Sequence, residues 1–137
     1  MIEFKNISVT YPGGVKALNN VSLDITEGDF VIIVGMSGAG KSTLLRTIND
    51  LVKPTDGEVI VNSKNVTKAS KKELKEIRSD IGMIFQTFNL VNRSSVLKNV
   101  LTGRLSQVSK LRSVFGLWPN EDKEIAFESL NKVESLL

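Results

Sequence analysis

A chain of 137 residues, 41% hydrophobic and 24% charged, has the composition of one globular domain with a substantial core. It contains neither cysteine nor histidine, which excludes disulfides, cysteine-based zinc or iron–sulfur centres and the commonest general base. No apolar run approaches the roughly 20 residues of a membrane span, Met1-Ile2-Glu3-Phe4-Lys5 is unlike a signal peptide, and a net charge of +3 is too small to point to nucleic acid.

Ile2 to Tyr11 alternates loosely (Ile2, Phe4, then Ile7, Val9) and predicts a half-buried strand ended by Pro12-Gly13-Gly14. Ala17 to Thr26 repeats the pattern with Val21, Leu23 and Ile25 on one face. Glu27-Gly28-Asp29 then turns the chain into Phe30-Val31-Ile32-Ile33-Val34, a continuous apolar run expected of a strand buried on both faces. Beyond a glycine-rich stretch, Leu44, Leu45, Ile48 and Leu51 recur at helical spacing, which predicts a helix from Lys41 to about Asp50. Pro54-Thr55-Asp56-Gly57 is a turn before a strand at Glu58–Val61, and Asn62-Ser63-Lys64-Asn65 is another turn.

Ser70 and Glu73 have capping-box spacing, so a helix is expected to run to about Ser79. The basic stretch from Lys64 to Arg78 is interrupted by Glu73 and Glu76 and lacks aromatics, so it reads as a solvated helix face with no nucleic-acid partner. Ile81-Gly82-Met83-Ile84-Phe85 is a second short apolar strand ending at Gln86. Ser95 to about Thr102 predicts a helix with Val96, Val100 and Leu101 as its stripe. Gly103, Gly116 and Pro119 break the next segment, in which Leu111, Val114, Phe115, Leu117 and Trp118 are apolar anchors. Asn120 then caps a helix with Ala126, Leu130, Val133 and Leu137 on one face.

Gly35-Met36-Ser37-Gly38-Ala39-Gly40-Lys41-Ser42 satisfies the phosphate-loop pattern G-x-x-x-x-G-K-[ST] at every fixed position, between a predicted strand and a predicted helix. The glycines let the backbone turn tightly and bring several N–H groups close to phosphate oxygens. Lys41 supplies a point charge to β- and γ-phosphates, and the Ser42 hydroxyl suits a Mg²⁺ ligand position. With Thr43, these residues are the candidate nucleotide contacts, and a nucleoside triphosphate with Mg²⁺ is the expected ligand pair, which the resemblance below narrows to ATP.

Three features in register resemble the ATP-binding subunits of ABC transporters: Tyr11 before the loop, the loop itself, and Gln86 after a later strand. The resemblance implies that Tyr11 stacks on adenine, which needs only a flat ring. It implies that Gln86 is the glutamine that binds Mg²⁺ or the attacking water and sits at a hinge to a helical subdomain. Lys41 and Gln86 are the catalytic candidates, Ser42 and Gln86 the metal ligands, and Phe88, Leu90 and Val91 either core residues or the surface that receives a coupling helix. Gly35 to Arg46, Asn89 to Leu97 and Phe115 to Lys123 are similar to the phosphonate import ATP-binding proteins of that family. A small-solute importer for amino acids or methionine, a non-catalytic nucleotide-binding module and a soluble ABC ATPase acting on DNA or the ribosome are the alternatives.

The implied fold is α/β: a P-loop NTPase core with an N-terminal antiparallel β subdomain over residues 1–86 and the start of a helical subdomain over 87–137, an incomplete ABC ATPase domain. The implied partners are transmembrane permease subunits, a second ATP-binding subunit docked head to tail and, indirectly, a substrate-binding protein, at the cytoplasmic side of the cell membrane. The family's Leu-Ser-Gly-Gly-Gln-type signature, Asp-Glu strand end and switch histidine have no counterpart in these 137 residues. Phosphoryl transfer to water needs a group that orients the water and charge that stabilises the transferring phosphoryl, so the chain alone is expected to bind ATP without turnover. The strands around Val31–Val34 and Ile81–Phe85 are expected to keep an open apolar edge, which makes the chain prone to aggregate.

Overall fold

A computed structural model describes residues 1–86, 90–106, 108 and 116–134. The chain divides into two compact units, Met1–Gly82 and Met83–Leu137. The first is built on a four-stranded antiparallel sheet in the order β2-β1-β3-β4, from β1 (Ile2–Thr10), β2 (Lys16–Ile25), β3 (Asp56–Val61) and β4 (Lys64–Asn65). Helices α1 (Lys41–Thr47) and α2 (Lys71–Ser79) complete it.

The loose alternation of the first strand has a physical cause. Phe4 pairs with Leu23 and Ile7 with Val21, and the register slips between them. Asn6 takes up the extra residue at φ 50°, a left-handed conformation that asparagine tolerates. Its backbone N–H donates to Ser22 Oγ at 2.9 Å, and Ser22 Oγ donates to Asn6 Oδ1 at 2.8 Å. Asn20, at φ 51°, makes the matching irregularity in β2 and donates its N–H to Ser8 Oγ. The bulge returns Ile7 and Val9 to the face that carries Phe4, so all three are buried.

Those residues join Leu18, Val59, Val61 and Val66 of the sheet side with Leu44 of α1, Ile48 just after it and Ile77 of α2 in one core. Gly57 is indispensable to it: at φ +83°, a Cβ there would lie 2.4 Å from the Asn6 carbonyl oxygen. Asn62 and Ser63 both have positive φ and form a two-residue hairpin of the primed type, so Lys64 and Asn65, expected in a turn, are strand instead. Helix α2 opens with the expected capping box, Ser70 accepting from the Glu73 amide while Glu73 accepts from the Ser70 amide.

Two expectations fail. Phe30–Val34 is not a strand: Ile33 packs against the core, but Phe30, Val31, Ile32 and Val34 are exposed. Ile81–Phe85 is irregular as well, with Ile84 wholly exposed. A run that is apolar on both sides gains little until strands flank it and layers cover it, and among the described residues no strand pairs with either segment.

Helix α1 also ends earlier than its apolar spacing predicts. Asp50, at φ 55°, reverses the chain, and the Leu51 and Val52 amides both donate to the Arg46 carbonyl. Leu44 and Ile48 are therefore buried, whereas Leu45 and Leu51 are exposed.

In the second unit, α3 (Val96–Thr102) starts at Ser95, whose Oγ accepts from the Lys98 amide, and α4 spans Asn120–Glu134. Leu101 is buried, Val100 half-buried and Val96 exposed. Asn120 lies inside α4 rather than capping it, because the Pro119 carbonyl accepts from the Lys123 amide and so opens the helix. Ala126 is buried and Leu130 half-buried, but Val133 is exposed. Arg104 reaches the buried Asp122 carboxylate at 2.8 Å and ties the end of α3 to the first turn of α4. Phe88, Leu111, Val114, Phe115 and Leu137 lie outside the described residues.

Candidate nucleotide-binding site

The phosphate-loop motif runs through exposed irregular chain from Gly35 to Ala39 into α1, whose first residue is Lys41. Gly40 occupies the position before the helix at φ 85°, ψ 1°, with no side chain to cap it. A Cβ at Gly40 would lie 2.3 Å from the Ala17 carbonyl oxygen and 3.0 Å from Leu18 Cδ2. The last glycine of the motif is thus required by the close approach of β2, a constraint that the motif alone does not reveal.

Lys41 Nζ donates to the Gly35 and Met36 carbonyls, each at 2.7 Å. An ammonium group has three protons, so two hold the head over the loop and one remains for an anion. The Ala39 amide closes the loop onto the Met36 carbonyl at 3.2 Å. Ser37 and Gly38 at the tip are exposed, as is Ser42. Thr43 is buried beside it.

Tyr11 stands at the end of β1, its backbone held in the hairpin by Tyr11 N–H to Val15 O at 2.9 Å and Gly14 N–H to Tyr11 O at 3.0 Å. Its hydroxyl lies 3.2 Å from Thr43 Oγ1. The structure therefore brings together Tyr11, Thr43, Lys41 and the loop, although Tyr11 and Thr43 are 32 positions apart in the chain. Gln86 lies at a bend in the second unit with its side chain exposed.

Arg78, expected on a solvated basic face, has a structural task instead. Its guanidinium donates to the Asn49 and Asp50 carbonyls at 2.8 and 3.3 Å and so fastens α2 to the end of the loop's helix. The only sequence signal for it was a cation in the last turn of α2. A cavity of about 420 Å³ is lined by Ser63, Lys64, Asn65, Lys68, Glu73 and Glu76 among others, and no residue of the phosphate loop contributes to it.

Residues 18–134 match the family model described as ABC transporter. The chain belongs to the ABC transporter family. It is 56% identical over 136 residues to the phosphonates import ATP-binding protein PhnC of Bacillus thuringiensis, covering 99% of this chain and 53% of that protein. A counterpart from Halalkalibacterium halodurans is 52% identical over 133 residues. Among solved structures, a dimeric ATP-binding cassette in a post-hydrolysis state bound to ADP and Pi has a TM-score of 0.82 at 38% identity, over 98% of this chain and 57% of that one.

The fold is accordingly that of the N-terminal part of an ABC ATPase cassette, and the chain spans about half the length of the curated relatives it matches. Nucleotide binding is the role that this family membership carries. Among the described residues, no helix is long and apolar enough to cross a membrane.

Proposed function

We propose that this ABC family chain binds ATP at Gly35–Thr43 as part of the ATP-binding subunit of an importer for phosphonates. The observation that carries the nucleotide reading is Lys41, whose head is held at the loop by two of the motif's own carbonyls. The substrate class rests on the relatives named as phosphonate import proteins.

Each residue then has a role. The loop amides of Met36, Ser37 and Gly38 serve the phosphates, and the Lys41 ammonium neutralises charge on the β- and γ-phosphates. The exposed Ser42 hydroxyl suits Mg²⁺, which commonly takes one or two protein ligands and completes its shell with phosphates and water. Mg²⁺, when bound, supplies charge neutralisation at the phosphates. Tyr11 offers its ring to the adenine, and Gln86 is the second metal or water contact and the link to the helical region.

In the whole subunit, two copies docked head to tail would work with transmembrane permease subunits and, through them, a substrate-binding protein, at the cytoplasmic face of the membrane. The residues named above bind and orient the nucleotide, and none of them is a base that could deprotonate water. Isothermal titration of the chain with ATP and Mg²⁺ tests the reading. Saturable binding that Lys41→Ala abolishes is expected, with phosphate release no faster than in that variant. No binding by the unmodified chain would overturn the reading.

A further inference from the structure

We propose that Tyr11 acts on the triphosphate as well as on the base. Its phenol hydroxyl orients the Thr43 hydroxyl toward bound phosphate, which makes Tyr11 a positioning residue for phosphate binding. The inference rests on the nucleotide reading of Gly35–Ser42.

Three contacts support it. The Tyr11 and Thr43 hydroxyl oxygens are 3.2 Å apart. Backbone bonds on both sides of the turn fix where Tyr11 can stand. The same hairpin touches the loop again at Gly40, where the Ala17 carbonyl leaves no room for a Cβ. The hairpin of β1 and β2 therefore meets the phosphate-loop motif and its helix at two points, Gly40 and Thr43.

The chemistry gives the bond a direction. Each hydroxyl carries one proton and two lone pairs, and either can donate to the other. A phosphate oxygen accepts only. When Thr43 gives its proton to that anion, its oxygen remains as an acceptor, and the phenol, the more acidic hydroxyl, donates to it. A chain from Tyr11 to Thr43 to phosphate results, in which each bond polarises the next. A phenylalanine at position 11 would keep the face for a base and lose the donor. Thr43 is buried, so water does not readily replace that donor.

The experiment is isothermal titration of the unmodified chain, Tyr11→Phe, Thr43→Val and the double variant, each with ATP and with inorganic tripolyphosphate in Mg²⁺ buffer. Tripolyphosphate has no base to stack. Tyr11→Phe is expected to weaken both ligands by about threefold to tenfold, the range of one hydrogen bond. Thr43→Val is expected to lose at least as much, and the double variant no more than Thr43→Val alone. Tripolyphosphate affinity unchanged in Tyr11→Phe would overturn the proposal, as would losses that multiply in the double variant, since uncoupled losses assign the hydroxyl a merely structural role. If the unmodified chain binds neither ligand, the nucleotide reading falls and takes this inference with it; if it binds both and Tyr11→Phe matches it, only this inference falls.

Discussion

Ile2–Thr10 and Phe30–Val34 are both rich in apolar, strand-forming side chains, yet Phe4 in the first is 1% exposed and Phe30 in the second is 89% exposed. The first alternates and needs cover on one face, with partners that lie in nearby sequence: β2 follows directly and β3 returns to its other edge. The second is apolar on every side and needs neighbours on both edges and cover on both faces. An apolar pattern thus states what surface a segment offers, and its fate depends on whether the complementary surface is at hand.

Replacing the same residue type in the two places gives the largest separation. Phe4→Ala should cost about 3–5 kcal/mol, as for a large core side chain. Phe30→Ala should change stability by no more than about 0.5 kcal/mol, the usual range for surface sites. Urea unfolding followed by circular dichroism measures both. Equal losses would mean that Phe30–Val34 is buried in solution by self-association, which light scattering of Phe30→Lys would detect as a return to monomer.

A glycine pair refines the contrast. Gly28 precedes the exposed run at φ +87° with nothing near its missing Cβ, whereas Gly57 at φ +83° faces the Asn6 and Lys5 carbonyls at 2.4 and 2.5 Å. Alanine at either position incurs the left-handed backbone penalty of about 1–2 kcal/mol. Only Gly57→Ala adds a clash, for a total of roughly 2–5 kcal/mol when overpacking is included. A Gly28→Ala loss as large as that of Gly57→Ala would show that the turn into the run is packed as tightly as the sheet.

The legible parts of this chain were those whose cause is local. Ser70 and Glu73 announce a helix start because the two bonds they make span three positions. The phosphate loop is legible because each fixed residue serves the same ligand. The phase slip between Phe4 and Ile7 is visible as spacing, although its remedy, a bulge at Asn6 braced by Ser22, depends on a neighbouring strand. Phe30–Val34 and Ile81–Phe85 were misassigned because their apolar character was clear and their partners were not. Tyr11–Thr43, Gly40 against Ala17, and Arg104–Asp122 are tertiary contacts between polar or backbone groups, for which no periodicity exists.

Helix α1 carries the same contrast within one element, with Leu44 in the core and Leu45 exposed. Its end is imperfect: Asp50 holds φ 55°, and its Oδ1 is buried with no hydrogen-bond partner among the described residues. Asp50→Gly removes both penalties, offset by the greater freedom of glycine in the unfolded chain. A gain of about 1 kcal/mol is expected, read as a higher melting temperature. A loss would mean that the Asp50 carboxylate serves the fold through a contact with solvent or cation.

Acid should produce the smallest effects, and their order again separates the regions. Glu58 lies below its ordinary pKa of 4.5, chiefly through its bond to Lys68, and Glu73 does so through the Ser70 hydroxyl. Asp29, at the entrance to the exposed run, lies below its ordinary 3.8 through the Thr26 hydroxyl and amide. A depressed carboxylate contributes stability above its unfolded pKa and loses that contribution as pH falls through the folded value. Acid should therefore weaken the first unit below about pH 4.5. Glu58 joins β3 to Lys68 and Asn65 across contacts that unfolding breaks, so Glu58→Gln should flatten the acid limb most. Asp29 bonds only three positions back, a turn that can persist in the unfolded chain, and Asp29→Asn should flatten it least. An acid titration by circular dichroism in which Asp29→Asn has the larger effect would place the entrance to the apolar run inside the cooperative unit and erase the distinction between the two stretches.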